Sequence, residues 1–221
     1  MKKTRNLLLI LLAFLITFSS TTVFAVKYSD TRGHWASNYI DQMSSAGFVT
    51  GYDGNRFKPN SNISRVEFYS IVNSMANLKK THTVTFSDVK TSDWYYDDVA
   101  KAIKAGYLTP TTGRLNPNAA ISRQEVMGIV GYMYKLKQNP ANVNQYRDAS
   151  LFKASNKGYA GSLVKLGIIS GSNDNSLRPN DGISRAETCK ILFLLMDKYG
   201  LPAERVIVDS RIKFGDKNLY E

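Results

Sequence analysis

Three arginines recur in one repeated phrase of this chain, Ile-Ser-Arg-Xaa-Glu, and their side chains could bind an anion. They are Arg65, Arg123 and Arg185. A planar guanidinium donates two parallel hydrogen bonds to a carboxylate, a geometry that lysine does not reproduce. Each arginine falls in the first turn of a predicted helix, where the helix dipole disfavours a cation. The guanidinium and the nearby backbone N–H groups could therefore hold a carboxylate together, or the arginine could pair with an Asp or Glu of the same chain.

The serine and glutamate of the phrase predict where these helices begin. Ser stands three residues before Glu, which is the capping-box spacing: its hydroxyl accepts from the N–H of Glu, and the carboxylate accepts from the N–H of Ser. The pairs are Ser64 with Glu67, Ser122 with Glu125, and Ser184 with Glu187. Apolar residues four, five and eight positions after each Glu form a stripe of helical period. They are Ile71, Val72 and Met75, then Ile129, Val130 and Met133, then Ile191, Leu192 and Leu195.

A shorter helix is predicted upstream of each phrase. Apolar residues at helical spacing precede Gly47, Gly106 and Gly167, and a glycine just past such a stripe is typical of a left-handed C-terminal cap. Two apolar residues and a turn rich in Gly, Asn and Asp follow. Each unit is therefore predicted to be a helix, a short extended loop, a turn and a second helix.

The units repeat along the chain at a nearly fixed period. Ser64 and Ser122 are 58 residues apart, and Ser122 and Ser184 are 62 apart. Such repetition indicates equal structural units, for which three equal binding sites are more natural than one catalytic centre. We predict an all-α fold of three tandem helix-loop-helix repeats. The predicted segments are a signal peptide at 1–25, repeats at 26–80, 81–140 and 141–200, and a C-terminal tail at 201–221.

The first 25 residues are typical of a secretory signal peptide. A basic head precedes an apolar run at 7–18, and Ala25 offers a cleavage site. The run is short for a membrane span, so we expect none after cleavage, and an uncleaved anchor is the alternative. Cleavage lowers the formal net charge from +11 to +8. That charge favours an anionic polysaccharide or a membrane surface over nucleic acid as a partner, unless it only aids solubility.

Catalytic and metal-binding patterns find little support. His34 and His82 lack metal-ligand spacing, and no nucleophile elbow or phosphate loop is present. Cys189 is the only cysteine, so it forms no internal disulfide, and its apolar surroundings predict a buried thiol. The sequence therefore predicts a non-enzymatic protein without a cofactor.

The repeat resembles the S-layer homology repeat, a module that attaches exported proteins to bacterial cell walls. Ser replaces the Thr of that family's Thr-Arg-Ala-Glu signature, which keeps the capping hydroxyl. The first copy carries the resemblance in Asp30, His34-Trp35-Ala36, residues 47–54, residues 57–60 and residues 63–67. The second keeps Asp88, Trp94, Gly106, Pro117-Asn118, Arg123 and Glu125, and the third keeps Asp148, Gly167, Gly171, Pro179-Asn180 and residues 185–187.

The resemblance implies a pseudo-threefold trimer of repeats within one chain. The signature helices would form a central three-helix bundle, with grooves between the repeats. It implies that the grooves bind secondary cell wall polysaccharide, often through a sugar that carries a pyruvate ketal. Arg65, Arg123 and Arg185 would then serve one groove each, on a secreted protein of the bacterial cell wall or S-layer. Since the threefold arrangement closes within one chain, a monomer is the simplest expectation.

Two tryptophans and two glycines are further candidates for the polysaccharide site. The indoles of Trp35 and Trp94 could stack on a sugar ring, or they could be buried at the start of the shorter helix. The third copy has Ser155 at this position, so a groove built around it should differ. Gly51 and Gly171 could let a ligand approach the backbone, although a turn requirement explains them equally well. The second copy has Pro110 at that position.

Another class of function stays open from the sequence. The repeats could belong to a structural or assembly protein that binds a protein partner at the cell surface. About twenty residues follow the repeats, which are too few for a cargo domain. The chain could accordingly be a free-standing wall-binding protein, a competitor for the wall ligand, or the anchor remnant of a longer surface enzyme.

Overall fold

The computed structural model describes residues 28–202 of the 221-residue chain. Within that range the secondary structure is helical, with isolated β-bridges and no strand, so the all-α prediction is confirmed. No helix there is both long and apolar enough to cross a membrane. The predicted signal peptide and nearly all of the predicted tail lie outside the described residues. The helices are α1 (Ser37–Ser45), α2 (Arg65–Met75), α3 (Tyr96–Ala105), α4 (Arg123–Met133), α5 (Ala154–Lys165) and α6 (Arg185–Tyr199), with 3-10 turns at Pro140–Val143 and Ala149–Leu151.

The signature helices α2, α4 and α6 begin at the capping serines. In each, the serine hydroxyl accepts from the Glu N–H and the Glu carboxylate accepts from the Ser N–H, which completes the capping box. All nine residues of the predicted apolar stripes are buried. The shorter helices end before Gly47, Gly106 and Gly167, whose φ angles of 77°, 83° and 70° are the left-handed conformation that the glycines predict. Cys189 is buried as predicted, and that burial raises the pKa of its thiol to about 12.

Hydrogen bonds join the three repeats in a closed cycle. Just before the signature helices, Ile63 N–H donates to the Ile183 carbonyl, Ile121 N–H to the Ile63 carbonyl, and Ile183 N–H to the Ile121 carbonyl, over 3.0, 3.1 and 3.2 Å. This cyclic pattern is what a pseudo-threefold arrangement requires. Each signature helix also packs against the first helix of the following repeat, which pairs α2 with α3, α4 with α5, and α6 with α1. The central three-helix bundle stays a prediction.

An aspartate at the start of each repeat fixes the loop that precedes the signature helix. Asp30 accepts from the N–H groups of Phe57 and Lys58, both over 2.8 Å. Asp88 and Asp148 hold the corresponding pairs of N–H groups in repeats 2 and 3. Burial raises the pKa of Asp30, but these hydrogen bonds outweigh it, so the pKa lies below its usual value. The aspartates thereby orient the carbonyl of the residue before the left-handed turn, and two of the three arginines contact this carbonyl.

Candidate functional site

Two grooves on the surface are each built from parts of all three repeats. The first, here called the repeat-1 groove, has a volume of about 400 Å³ and lies between residues 47–52 and α2. Trp94 of repeat 2 and Arg185 of repeat 3 also line it. The repeat-3 groove, of about 300 Å³, lies between residues 168–172 and α6, with Trp35 of repeat 1 and Arg123 of repeat 2 in its lining. The structure therefore brings predicted Arg and Trp residues together in pairs, although each pair comes from two different repeats.

Both tryptophans are exposed at the grooves. Their exposed fractions are 56% for Trp35 and 67% for Trp94, so the alternative interpretation, burial in the core, is wrong. Neighbouring rings support them, since His34 lies 5.5 Å from the Trp35 ring and Tyr95 lies 5.3 Å from the Trp94 ring, centroid to centroid. An exposed indole on a rigid helix start can stack on the apolar face of a sugar while its N–H donates to a hydroxyl.

The three arginines form ion pairs that close another cycle around the molecule. Each contacts the capping glutamate of the next repeat, so the alternative that the sequence left open, a pair within the chain, is present. The pairs are Arg65 with Glu125 at 2.8 Å, Arg123 with Glu187 at 2.6 Å, and Arg185 with Glu67 at 3.9 Å. The arginine side chains are only 15%, 7% and 7% exposed, respectively. Each glutamate thus caps its own helix and also links its repeat to the preceding one.

Two of the arginines also bind the loop carbonyls that the aspartates orient. Arg123 Nε donates to the Leu177 carbonyl over 2.9 Å, and Arg185 Nε donates to the Phe57 carbonyl over the same distance. Arg185 in addition donates to Thr50 and lies over the rings of Tyr52 and Phe57. A guanidinium has five N–H donors, and the hydrogen bonds of Arg123 within residues 28–202 use two of them. Donors therefore remain at the groove for a ligand.

The backbone N–H groups at the start of the signature helices are not available to bind a ligand. The interpretation from sequence that they hold a carboxylate together with the guanidinium is therefore wrong. Arg123 N–H donates to the Asp181 carbonyl and Gln124 N–H to the Pro179 carbonyl, each over 2.9 Å, while Glu125 N–H donates to Ser122. The other two helices repeat the arrangement. Buried N–H groups need partners, and the loop of the next repeat supplies them. Of the two kinds of donor that the sequence suggested, only the guanidinium is left to bind a carboxylate.

Gly51 and Gly171 line the two grooves, but a tyrosine of the same repeat explains why they are glycines. A Cβ on Gly51 would lie 2.3 Å from Tyr28 Cε1, and one on Gly171 would lie 2.5 Å from Tyr146 Cε1. Neither glycine has the left-handed φ that a turn would demand. The close approach that they permit is therefore the approach of a tyrosine ring, and their contact with a ligand stays a prediction.

The capping glutamates are ionised at neutral pH. Burial raises the pKa of Glu125, but its bonds to Arg65 and Ser122 outweigh burial, and the pKa lies below its usual value of 4.5. The pKa values of Glu67 and Glu187 are lowered in the same way, against burial, by their serine caps and by Arg185 and Arg123, respectively. The carboxylates therefore cancel part of the positive charge of the arginines.

The junction at repeat 2 lacks an indole. Arg65 and Glu125 meet there as the other pairs do, but Ser155 holds the tryptophan position. The chain has only two tryptophans, and both line the other grooves. A sugar at this junction would have no indole to stack on.

Sequence reasoning missed three side chains at the grooves. The Tyr52 hydroxyl donates to Glu67 over 2.8 Å in the repeat-1 groove, while Arg178 and Lys190 line the repeat-3 groove. A signal was present, since Arg178 precedes Pro179 as Lys58 precedes Pro59, and Lys190 follows its capping Glu by three positions.

The S-layer homology domain matches the chain three times, at residues 27–68, 85–127 and 145–189, over more than half of its length. Each match lies within one predicted repeat and contains its arginine and glutamate.

Three curated relatives illustrate where similar segments occur. An amylopullulanase of Thermoanaerobacterium thermosulfurigenes is 28% identical over 178 residues, which are 78% of this chain and 10% of that protein. The surface-layer 125 kDa protein of Lysinibacillus sphaericus is 29% identical over 157 residues, 69% of this chain and 13% of that protein. A cellulosome-anchoring protein of Acetivibrio thermocellus is 30% identical over 79 residues, 35% of this chain and 18% of that protein. The chain spans 10% to 18% of these relatives, and it belongs to the S-layer homology domain family, whose members anchor proteins to the cell wall.

Proposed function

We propose that this protein is a non-enzymatic cell-surface anchoring module that binds secondary cell wall polysaccharide noncovalently through its inter-repeat grooves. The observation that carries the proposal is the pairing of an exposed indole with a guanidinium in each of two grooves. The indole stacks on a sugar face, and the guanidinium binds an acidic substituent of the same sugar, such as the carboxylate of a pyruvate ketal. The names of the surface-layer and cellulosome-anchoring relatives support a role at the cell surface.

Two grooves on one rigid unit favour retention on a polymer. When a repetitive polysaccharide occupies one groove, the second groove meets a high local concentration of the same ligand. Two individually weak sites then hold the protein firmly at the wall. The positive net charge of the mature chain, after secretion through the predicted signal peptide, adds attraction to an anionic polymer.

The same geometry supports the non-enzymatic and monomeric parts of the proposal. The glutamates nearest the grooves are committed to serine caps and arginine pairs. Within residues 28–202, no group of three His, Cys, Asp or Glu residues could hold a metal ion. The hydrogen-bond cycle closes inside one chain, so the grooves are complete without a second copy.

Tryptophan variants test the proposal more cleanly than arginine variants, because Arg123 and Arg185 are also buried structural residues. Trp35→Ala and Trp94→Ala should each weaken binding to purified cell walls by roughly two- to tenfold, the value of one aromatic stacking contact. The double variant should lose more than either single variant, because the second site no longer holds the polymer. Tyr199→Ala is the matched control, since that ring is 46% exposed at the far end of α6. A folded double variant that binds walls as tightly as the wild type would contradict the proposal.

An alternative is that the array of three repeats is the wall-attachment part of a longer surface enzyme. The amylopullulanase supports it, because only 10% of that protein corresponds to this chain. The size of the protein extracted from cell walls distinguishes the two cases: a band larger than 24.7 kDa would favour the longer enzyme. A structural protein that binds a protein partner is the other alternative, and it predicts wall binding that survives removal of the polysaccharide.

A further inference from the structure

The two tryptophan grooves differ in charge. In the repeat-1 groove one cation, Arg185, faces one carboxylate, Glu67. In the repeat-3 groove three cations, Arg123, Arg178 and Lys190, surround the single carboxylate of Glu187. Counted over the residues that line each groove, the first is therefore balanced, and the second has a surplus of two positive charges.

The contacts show that the surplus is available to a ligand. Arg123 and Arg178 both contact the same oxygen of Glu187, at 2.6 and 3.4 Å. Lys190 is half-buried in the groove wall and makes no ion pair with any residue of the described range 28–202. Because Glu187 can neutralise only one of the three cations, the others leave a positive potential beside Trp35.

The residues that line the repeat-1 groove include neither additional cation: a serine stands at one corresponding position, and the lysine at the other is not part of the lining. Ser70 stands where repeat 3 has Lys190, three residues after the capping glutamate. Lys58 corresponds to Arg178, but its Nζ lies 4.6 Å from the centre of the Tyr52 ring and makes no ion pair with Glu67 within 4.0 Å. Tyr52 instead donates its hydroxyl to that glutamate. Replacement of a lysine by a serine thus changes the charge of an otherwise similar groove.

We propose that the repeat-3 groove selects the more negatively charged sugar, one with a dianionic substituent, and that Lys190 is the residue that sets this preference. The repeat-1 groove then accepts a sugar with a single negative charge about as well. This inference rests on the proposed function, because it takes wall sugars as the ligands of both grooves.

The two tryptophans make the grooves separately observable, since the chain has no others and each groove contains one. Trp94→Phe leaves Trp35 as the fluorescence reporter of the repeat-3 groove, and Trp35→Phe leaves Trp94 as the reporter of the repeat-1 groove. The probes are glucose 6-phosphate, with a charge of about −1.5 to −2 at neutral pH, and glucuronic acid, with a single negative charge. We expect Trp35 to report tighter binding of the phosphate, and Trp94 to report little preference.

Exchange of the two matched residues tests the role of Lys190. Lys190→Ser in the Trp35 reporter should reduce the preference for phosphate by roughly two- to fivefold, the value of one partly exposed charge pair. Ser70→Lys in the Trp94 reporter should create a preference of similar size. Added salt should weaken both preferences, because exposed charges are screened.

The inference would be overturned if Trp35 and Trp94 reported the same preference for glucose 6-phosphate over glucuronic acid, or if the substitutions at Lys190 and Ser70 left that preference unchanged. The absence of any fluorescence quenching by either sugar would also overturn it. Binding of the same variants to cell walls separates this failure from that of the proposed function. Wall binding that persists would show that only the charge preference is wrong. Wall binding that is absent from the unsubstituted protein would remove the anchoring role itself.

Discussion

Replacement of Arg123 by alanine tests whether the arginines hold the repeats together as well as face the grooves. The side chain is only 7% exposed and makes two charge-assisted bonds to repeat 3, to the Leu177 carbonyl over 2.9 Å and to Glu187 over 2.6 Å. A hydrogen bond to a charged group contributes about 1.5–3 kcal/mol, and an orphaned buried carbonyl costs about 1–3 kcal/mol. Glu187 keeps Arg178 and Ser184 as partners, so the removal of Arg123 does not leave its carboxylate unpaired. We therefore expect the free energy of unfolding to fall by about 2–4 kcal/mol, less than the sum of these values.

Urea unfolding followed by circular dichroism measures this change directly. Arg114→Ala is the matched control, because Arg114 is 72% exposed and its nearest contact with Asp88 is 3.6 Å. An exposed ion pair contributes about 0–1 kcal/mol, so the control should unfold almost as the wild type does. The reasoning would be refuted if both variants lost the same stability, or if Arg123→Ala lost less than about 1 kcal/mol.

Three further predictions concern the packing, the caps and the ion pairs. Gly51→Ala should lower the free energy of unfolding by about 1–3 kcal/mol, because the added Cβ would lie 2.3 Å from Tyr28. Gly113→Ala is the control and should change it little, since its nearest contact is 3.5 Å away, and equal losses in the two variants would contradict the packing argument. Ser122→Ala should cost about 1 kcal/mol in the same assay through loss of the α4 cap, and an unchanged midpoint would show that the cap is dispensable. The capping glutamates have pKa values below 4.5 when folded, so they stabilise the protein fully above that pH, and their contribution is lost as the pH falls through the folded values. The thermal midpoint should therefore fall in acid, and a midpoint that rises between about pH 5 and pH 3 would contradict the pairing.

The closed cycle makes each repeat dependent on the other two. The first two N–H groups of α2 are satisfied by repeat 2, those of α4 by repeat 3 and those of α6 by repeat 1. In a linear array the terminal repeats have one free interface, whereas here the third repeat returns to the first. The stability of the array and the shape of its grooves consequently depend on the same contacts.

Features with a local cause were predictable from the sequence. The capping box depends on residues three apart, the left-handed caps on single glycines, and the buried stripes on helical spacing, so the six helices of residues 28–202 and most of their core could be anticipated. The repeat of these signals also led to the S-layer homology family.

Contacts between repeats were not predictable, because no local signal encodes how the repeats close. The sequence left open whether Arg65 binds a ligand or a glutamate, and its partner Glu125 lies 60 residues away in another repeat. It likewise could not pair Trp94 with Arg185, which come from repeats 2 and 3. Nor did it show that Gly51 accommodates a tyrosine, since Tyr28 precedes it by 23 residues. These arrangements depend on the closed cycle of contacts between the three repeats.

Binding of residues 26–221, the chain without its predicted signal peptide, to purified cell walls with and without their secondary polysaccharide tests the central claim most directly. The grooves offer an indole and a guanidinium, which suit an acidic sugar polymer. We expect tight binding to intact walls and loss of that binding once the polysaccharide has been removed. Equal binding to bare peptidoglycan, or no binding to intact walls, would contradict the account and favour a protein partner.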